Sequence, residues 1–490
     1  MVLTGEVKMR YPIVLQLLGK VIILIGLSLL MPLVLALYFG EKEWLAFTYS
    51  AAITLAAGIP LSSLPSHNGE IRRREGYAVV ALSWVAATIF GSLPYIFAGT
   101  FPALADAIFE TVSGFTTTGA SVMTDIEAQS RAILFWRSLT HWLGGMGIVV
   151  LFVALLSPLG SGGFQILQAE TPGPVTEKIK PRIQETAIIL WRTYIFLSAL
   201  EILLLLFAGM PLYEAVVHTF GTMATGGFST KNASIGYYNS PLIQWIIIIF
   251  MFLAGVNFAL YYQAVKLRNP FYFWLNPEFK LYSAIILAAF IIIVVDLSLA
   301  GFNPGENLLR MAAFQVVSIV TTTGYATVDF DQWPNLSRTL LLLLMFVGGC
   351  TGSTGGSIKV GRLLVLLKNG IAELFRAVHP HAVVSIRFSN IGIINKELVL
   401  NILQFIGFYL LLFALGTLLM SLTSLKLEEA ASAVAATLGN VGPGLGAVGP
   451  AHNYAHLPAA AKYLLSWLML VGRLEIYTIL VLFLRTTWRG

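Results

Sequence analysis

The residues of this 490-residue sequence best suited to chemistry lie in four short polar turns built around glycine. They read Thr116-Thr117-Thr118-Gly119-Ala120, Ala224-Thr225-Gly226-Gly227-Phe228, Thr321-Thr322-Thr323-Gly324-Tyr325 and Asn440-Val441-Gly442-Pro443-Gly444. Aligned on Gly119, Gly226, Gly324 and Gly442, they recur at intervals of 107, 98 and 118 residues. The chemistry they suit is coordination of a dehydrated monovalent cation. Backbone carbonyls replace the ion's water without a full charge that would hold it too tightly. Glycine adopts the angles that aim successive carbonyls inward, which residues with a Cβ resist. The candidate coordinating set is Thr117, Thr118 and Gly119; Ala224, Thr225 and Gly226; Thr322, Thr323 and Gly324; and Asn440, Val441 and Gly442. Each turn follows an apolar segment of roughly a dozen residues, too short for a bilayer that needs about 20. Irregular backbone at membrane depth is tolerated only where protein buries it or a water-filled cavity borders it. One such turn reads equally well as a plain helix break in a bundle, but four in register point to one shared cavity. The fourth departs from the Thr-x-Gly form, with Asn440 and Val441 before its glycine.

A second polar stretch runs from Gly348 to Lys359, and Thr351–Ser357 within it lacks any large apolar side chain. A continuous lipid-facing helix would not carry it. A helix-packing face of the small-xxx-small kind, Gly348-x-x-x-Gly352, is the plainer alternative. A phosphate-binding loop is discounted, because Gly-x-x-x-x-Gly-Lys-Ser/Thr is absent. Arg473 precedes Arg485 by 12 residues, which along a straight helix is roughly 18 Å, beyond the reach of snorkelling. A charge so placed faces a cavity or a partner. It would act as an electrostatic barrier beneath a cation site, tether nearby carbonyls, or pair with a carboxylate on another helix. Glu475, about 200° away around the same helix, is not an obvious partner. Lys359 reads equally as a snorkelling lysine. His379-x-His381 has no acid nearby, and His141 and His218 read as packing or interfacial residues. One cysteine, Cys350, excludes an internal disulfide and a cysteine-based zinc site. No Ser/His/Asp or paired-carboxylate arrangement points to an enzyme.

The elements that must position these residues are apolar helices. Charged residues make up 11% of the chain, against about 25% in soluble domains. The expected fold is therefore an all-α integral membrane protein. Bilayer-length apolar spans fall near 12–38, 43–63, 77–98, 132–157, 184–208, 241–266, 279–300, 336–368, 397–422 and 459–485. From the third span the order repeats as long helix, short apolar segment, glycine turn, long helix. This divides the chain into two N-terminal helices (1–75) and four repeats (76–160, 161–270, 271–395 and 396–490), expected in pseudo-fourfold arrangement around one pore. With both termini cytoplasmic, the inner segments hold Arg10, Arg72-Arg73-Arg74, Lys178, Lys180, Arg182, Lys266, Arg268, Lys368, Arg376 and Arg387. The outer ones hold Asp106, Glu110, Asp125, Glu127, Glu214, Glu306, Asp329, Asp331, Glu428 and Glu429. That split satisfies the positive-inside rule. Acids around the outer mouth are expected to concentrate cations. The formal charge of +6 belongs to the inner loops and implies no nucleic acid.

At this point the residues resemble a family, the Trk/Ktr/HKT superfamily of potassium transporters, and within it the bacterial TrkH type. The resemblance covers nearly the whole chain. It rests on the four turns, on Gly348 to Lys359, on Ala169-Glu170-Thr171-Pro172-Gly173-Pro174 and on Val471-Gly472-Arg473-Leu474-Glu475. The two extra N-terminal spans favour the TrkH type over the shorter Ktr type. The resemblance implies one filter glycine per repeat, potassium bound at the filter as the transported ion, and no covalent cofactor. It implies a homodimer with one pore per protomer in the inner membrane, controlled by a peripheral cytoplasmic nucleotide-binding subunit of the TrkA type. That subunit would dock on the basic segments 160–182 and 359–396. Glycine at all four filter positions is the pattern linked to potassium preference. Gly348, Gly349, Thr351, Gly352, Ser353, Gly355 and Gly356 would form an intramembrane gate loop, with Lys359 and Arg473 beside it. The rival function is a proton- or sodium-coupled potassium symporter with alternating access, using Arg473 and Glu110 in an ion relay.

Overall fold

The computed structural model describes residues 9–65, 71–147, 183–302, 305–382, 384, 387–388, 392–394 and 396–484. The segment 169–174, the docking segment 160–182 and Arg485 therefore lie outside the described residues. The architecture is helical apart from a two-residue antiparallel pairing, β1 (Arg387–Phe388) with β2 (Gly392–Ile393).

Two spans come first. α1 (Tyr11–Ser28) and α2 (Leu30–Phe39) run as one 29-residue apolar segment, and α3 (Trp44–Ser62) returns beside it. They touch through small residues, since a Cβ on Gly58 would lie 3.0 Å from the Gly19 carbonyl. This is the close approach that helices use in lipid, where apolar burial alone drives no association.

The rest alternates long and short helices. The long ones are α4 (Arg73–Ala98), α7 (Ile183–Phe207), α11 (Pro277–Leu299) and α15 (Lys396–Met420). Each is followed by a short one: α5 (Leu104–Phe115), α8 (Leu212–Met223), α12 (Glu306–Val320) and α16 (Leu427–Leu438). Every short helix carries acid in its first turn, where the positive end of the helix dipole favours it. Every short helix then stops at one of the four glycine turns.

The helices that follow the turns are broken. α6 (Arg131–Gly145) ends at a glycine pair. α9 (Pro241–Ala254) and α10 (Phe258–Lys266) meet at 89°. α13 (Asn335–Leu344) is separated by a loop from α14 (Val360–Val378). α17 (Ala459–Arg473) and α18 (Glu475–Leu480) meet at 113° across Leu474. The sequence reading took 241–266, 336–368 and 459–485 as single crossings and anticipated an interruption only in the third repeat. The others break where Asn257 caps a new helix, with its side chain accepting from Ala259 N, and where Glu475 takes a left-handed φ of 54°. Among the described residues, six helices are long and apolar enough to cross a membrane, or eight with each bent pair counted once. The chain is thus built as a multi-pass membrane protein.

Candidate functional site

The four turns share one backbone design. Thr117, Thr225, Thr322 and Asn440 take left-handed φ values of 54°, 54°, 60° and 54°. Two residues later Gly119, Gly227, Gly324 and Gly442 take φ values of 79°, 80°, 78° and 104°. The residue between them always donates its N–H back to the short helix. Thr118 bonds Ser113 O at 2.9 Å; Gly226, Thr323 and Val441 bond Gly221, Ser318 and Ala436 O at 2.8 Å each. The sequence register therefore slips by one in the second turn. The glycine equivalent to Gly119 is Gly227, and Gly226 stands where Thr118, Thr323 and Val441 stand. The adjacent glycines concealed this. Spacing from the preceding left-handed residue, Thr225-x-Gly227 like Thr117-x-Gly119, identifies the right one.

The turns interlock. A Cβ on Gly119 would lie 2.1 Å from Gly226 O, one on Gly227 2.1 Å from Thr323 O, one on Gly324 2.0 Å from Val441 O, and one on Gly442 2.6 Å from Thr118 O. Each glycine thus leaves room for a carbonyl of the next turn, and the fourth closes back on the first. All four glycines border one cavity of about 160 Å³, together with Ser121, Arg137, Ser229 and Asn453. Threonines brace the first and third turns alike. Thr116 Oγ1 bonds Val112 O and Thr118 Oγ1 at 2.7 Å each, and Thr321 Oγ1 bonds Val317 O at 2.7 Å and Thr323 Oγ1 at 2.8 Å. Ala224 and Gly439 stand at those places in the other two. In the fourth turn Asn440 Nδ2 instead donates to Thr118 Oγ1 of the first turn at 2.9 Å and to Met469 O at 3.0 Å.

Directly against the turns lies the Gly348–Lys359 segment. Its neck is closed by Gly348 N–H donating to Ile358 O at 2.9 Å and Val360 N–H to Gly349 O at 3.2 Å. Its body touches the second, third and fourth turns or the helices beside them by hydrogen bond or close approach. Gly356 N–H donates to Thr322 Oγ1 at 2.6 Å, and Thr354 Oγ1 donates to Met223 O at 3.0 Å. Cys350 N–H donates to Gly255 O at 2.8 Å, and Phe258 N–H to Gly352 O at 3.1 Å. A Cβ on Gly356 would lie 2.5 Å from Gly439 O. Small residues are required because backbone from several elements converges on this loop. The broken α9–α10 helix exists to receive it.

Arg473 reaches the loop and the first repeat together. Its guanidinium donates to Thr354 O at 2.7 Å, Gly144 O at 2.6 Å and Gly145 O at 2.7 Å. Tethering carbonyls is among the three roles open in sequence. The straight-helix depth no longer applies, because the helix ends at Arg473. Glu475 turns away and pairs with Arg362 at 2.5 Å. Lys359 does not snorkel. It is 1% exposed, and its Nζ donates to Gly355 O within the loop.

Most of the acids expected at the outer mouth have protein partners. Glu110, fully buried, pairs with Arg137 at 2.6 Å and accepts from Ser121 Oγ and Val122 N. Asp106 pairs with Lys462 at 2.5 Å, and Arg338 serves both Asp331 and Glu428. Glu214 accepts from Thr230 and Tyr238, and Glu429 from backbone N–H groups of Lys426 and Ala447. Hydrogen bonding from the Arg310 guanidinium holds the Glu306 carboxyl below the usual carboxylate range. Most of these charges therefore hold the short helices and the loops beside them in place, while Asp125 and Glu127 remain exposed. Their residue types were legible; their partners, hundreds of positions away in the case of Asp106 and Lys462, were not. His141 packs between turns, stacking on Phe228 at 4.0 Å with Nδ1 2.6 Å from Gly114 O. Among the described residues no three metal-ligating side chains gather.

Comparison with known proteins places this geometry. The TrkH cation transport protein family model matches residues 45–487. The Trk system potassium uptake protein TrkH of Salmonella typhimurium is 41% identical over 487 residues, covering 98% of this chain and all of that protein. The Trk system potassium uptake protein TrkG of Escherichia coli is 33% identical, covering 96% of this chain and 97% of its own. The crystal structure of the potassium transporter TrkH from Vibrio parahaemolyticus superposes with a TM-score of 0.89 at 36% identity, covering 98% of this chain and all of that one. Members of this family are transporters and not enzymes. With its four interlocked glycine turns and the small-residue loop beneath them, the chain belongs to the TrkH family of cation transport proteins.

Proposed function

We propose that this protein takes up potassium across the bacterial inner membrane through a pore of its own. The four turns are its selectivity filter and the Gly348–Lys359 loop is its gate. The observation that carries this reading is the closed ring, in which each turn's glycine makes room for the next turn's carbonyl. The carbonyls of Thr118, Gly226, Thr323 and Val441 are the ring's recurring element, and the left-handed residues before them are its lower edge. Thr117 Oγ1 and Asn440 Oδ1 in the ring, with Ser353 Oγ in the loop, are buried without a protein partner. Such groups belong beside a wet path, where water or an ion satisfies them. The short helices end at the ring, so their negative dipole ends favour a cation there.

Four repeats following two N-terminal helices, both termini cytoplasmic, and a homodimer with one pore per protomer complete the proposal. A cytoplasmic TrkA-type nucleotide-binding subunit would release the loop. Coupled symport through Glu110 and Arg473 is less favoured, since Glu110 is committed to Arg137, and Arg473 to one loop carbonyl, Thr354 O, and to Gly144 O and Gly145 O at the end of α6. The test is growth of a potassium-uptake-deficient cell at low external potassium, joined to rubidium flux by purified protein in liposomes. Rescue with flux supports uptake; neither, from well-folded protein, overturns it.

A further inference from the structure

One carboxylate that belongs to neither the ring nor the loop holds the loop at Thr351 and the helix that follows it at Gly361. Glu278, 6% exposed in the first turn of α11, accepts from Thr351 N–H at 2.6 Å and from Gly361 N–H at 2.7 Å, both through Oε1. Gly361 lies in the first turn of α14, whose N–H groups have no intrahelical acceptor. One carboxylate thus sits at two helix N-termini at once, where the dipoles favour negative charge. Its own placement is fixed from behind. Asn276 caps α11 by accepting from Glu278 N at 2.8 Å and Phe279 N at 3.2 Å, and Pro277 starts the helix. Glycine at 361 is part of the design, because a Cβ there would lie 2.9 Å from Oε1 and 2.7 Å from Thr351 Oγ1.

We propose that Glu278 is a positioning residue that clamps the gate loop shut by holding Thr351, inside the loop, and Gly361, just past its end, to α11. The proposal rests on the reading of this loop as the gate. Bonds from backbone N–H to a buried carboxylate are among the stronger hydrogen bonds in proteins. With both to one oxygen, Thr351 cannot move away from the start of α14 without losing one of them. α11 follows directly on the turn Pro270–Leu275, whose Trp274 packs on Phe279 at 5.2 Å. A displacement of that turn therefore has a short mechanical route to the loop.

The single native cysteine reports on the clamp. Cys350 adjoins Thr351 and is 1% exposed, so a maleimide reaches it only when the loop departs. E278Q keeps an acceptor and removes the charge. G361A keeps the charge and pushes a Cβ into the clamp. Both are compared with wild type as detergent-purified protein eluting as a single folded peak, without any cytoplasmic subunit. Cys350 labelling is expected to accelerate about tenfold in E278Q and to accelerate in G361A, with basal rubidium flux rising alongside. Wild-type labelling rates in both folded variants would overturn the clamp. Faster labelling with unchanged flux would keep the clamp and overturn the gate reading.

Discussion

The register of the second turn makes a sharp prediction about two adjacent glycines. Gly227 takes a φ of 80°, and a Cβ on it would lie 2.1 Å from Thr323 O, a backbone atom. Since Cβ contacts below 3.0 Å do not persist, that carbonyl must move at least 0.9 Å in Gly227→Ala. The left-handed conformation adds about 1–2 kcal/mol of strain for a residue with a Cβ. Gly226 lies outside the left-handed region, and the three atoms nearest to a Cβ on it all belong to the His141 ring, from 2.5 Å. G226A is therefore curable by removing that ring, and G227A is not. In liposomes under bi-ionic gradients, G227A should lower the potassium-over-sodium permeability ratio at least about tenfold, the equivalent of 1.4 kcal/mol lost from differential ion stabilisation. G227A/H141A should stay as poor as G227A, whereas G226A/H141A should recover most of the wild-type ratio relative to G226A. Wild-type selectivity in G227A, or rescue of G227A by H141A, would refute both the register and the place of the Thr323 carbonyl in the filter.

Other perturbations follow from the same contacts. Arg473→Ala removes three charge-assisted bonds to Thr354, Gly144 and Gly145, each worth about 1.5–3 kcal/mol, and should raise basal rubidium flux; unchanged flux in folded protein would contradict the tether. Breaking the fully buried Glu110–Arg137 pair by Arg137→Met should cost about 3–5 kcal/mol of stability by leaving a buried charge unpaired, read as a lower Tm that Glu110→Gln partly restores in the double variant. Glu428, already paired with Arg338 at the surface, should alter the potassium concentration for half-maximal uptake by less than about twofold when changed to Gln; a large rise would reinstate the acid cluster as a cation concentrator.

How much was legible in sequence follows the range of the interactions. The four turns were legible because a polar glycine turn after a sub-bilayer helix is a local signal, carried by Thr-x-Gly in three and by Asn440-x-Gly442 in the fourth, and so was the interruption at Gly348–Ser357, where no large apolar side chain occurs. The one-residue slip at Gly226-Gly227 arose because glycine type alone cannot say which of two neighbours takes the left-handed angle; the hydrogen bond from Gly226 N to Gly221 O decides it. The breaks after Ala254 and Arg473 were missed because hydropathy continues across them, although Asn257 was an available capping signal. Arg473 was recognised as a buried charge, but its carbonyl partners lie 119 to 329 residues away. Glu278 was passed over because one acid beginning an apolar helix looks like an ordinary dipole partner. Its second role exists only once α11 and α14 are packed together.

The central claim is that the four turns together bind the transported ion. Anomalous diffraction from crystals grown in rubidium or thallium in place of potassium tests it most directly. A peak is expected on the axis of the ring formed by Thr118, Gly226, Thr323 and Val441, displaced by excess potassium and absent in crystals grown in sodium. No peak there at saturating rubidium, or a stronger one elsewhere in the membrane region that potassium displaces, would contradict it.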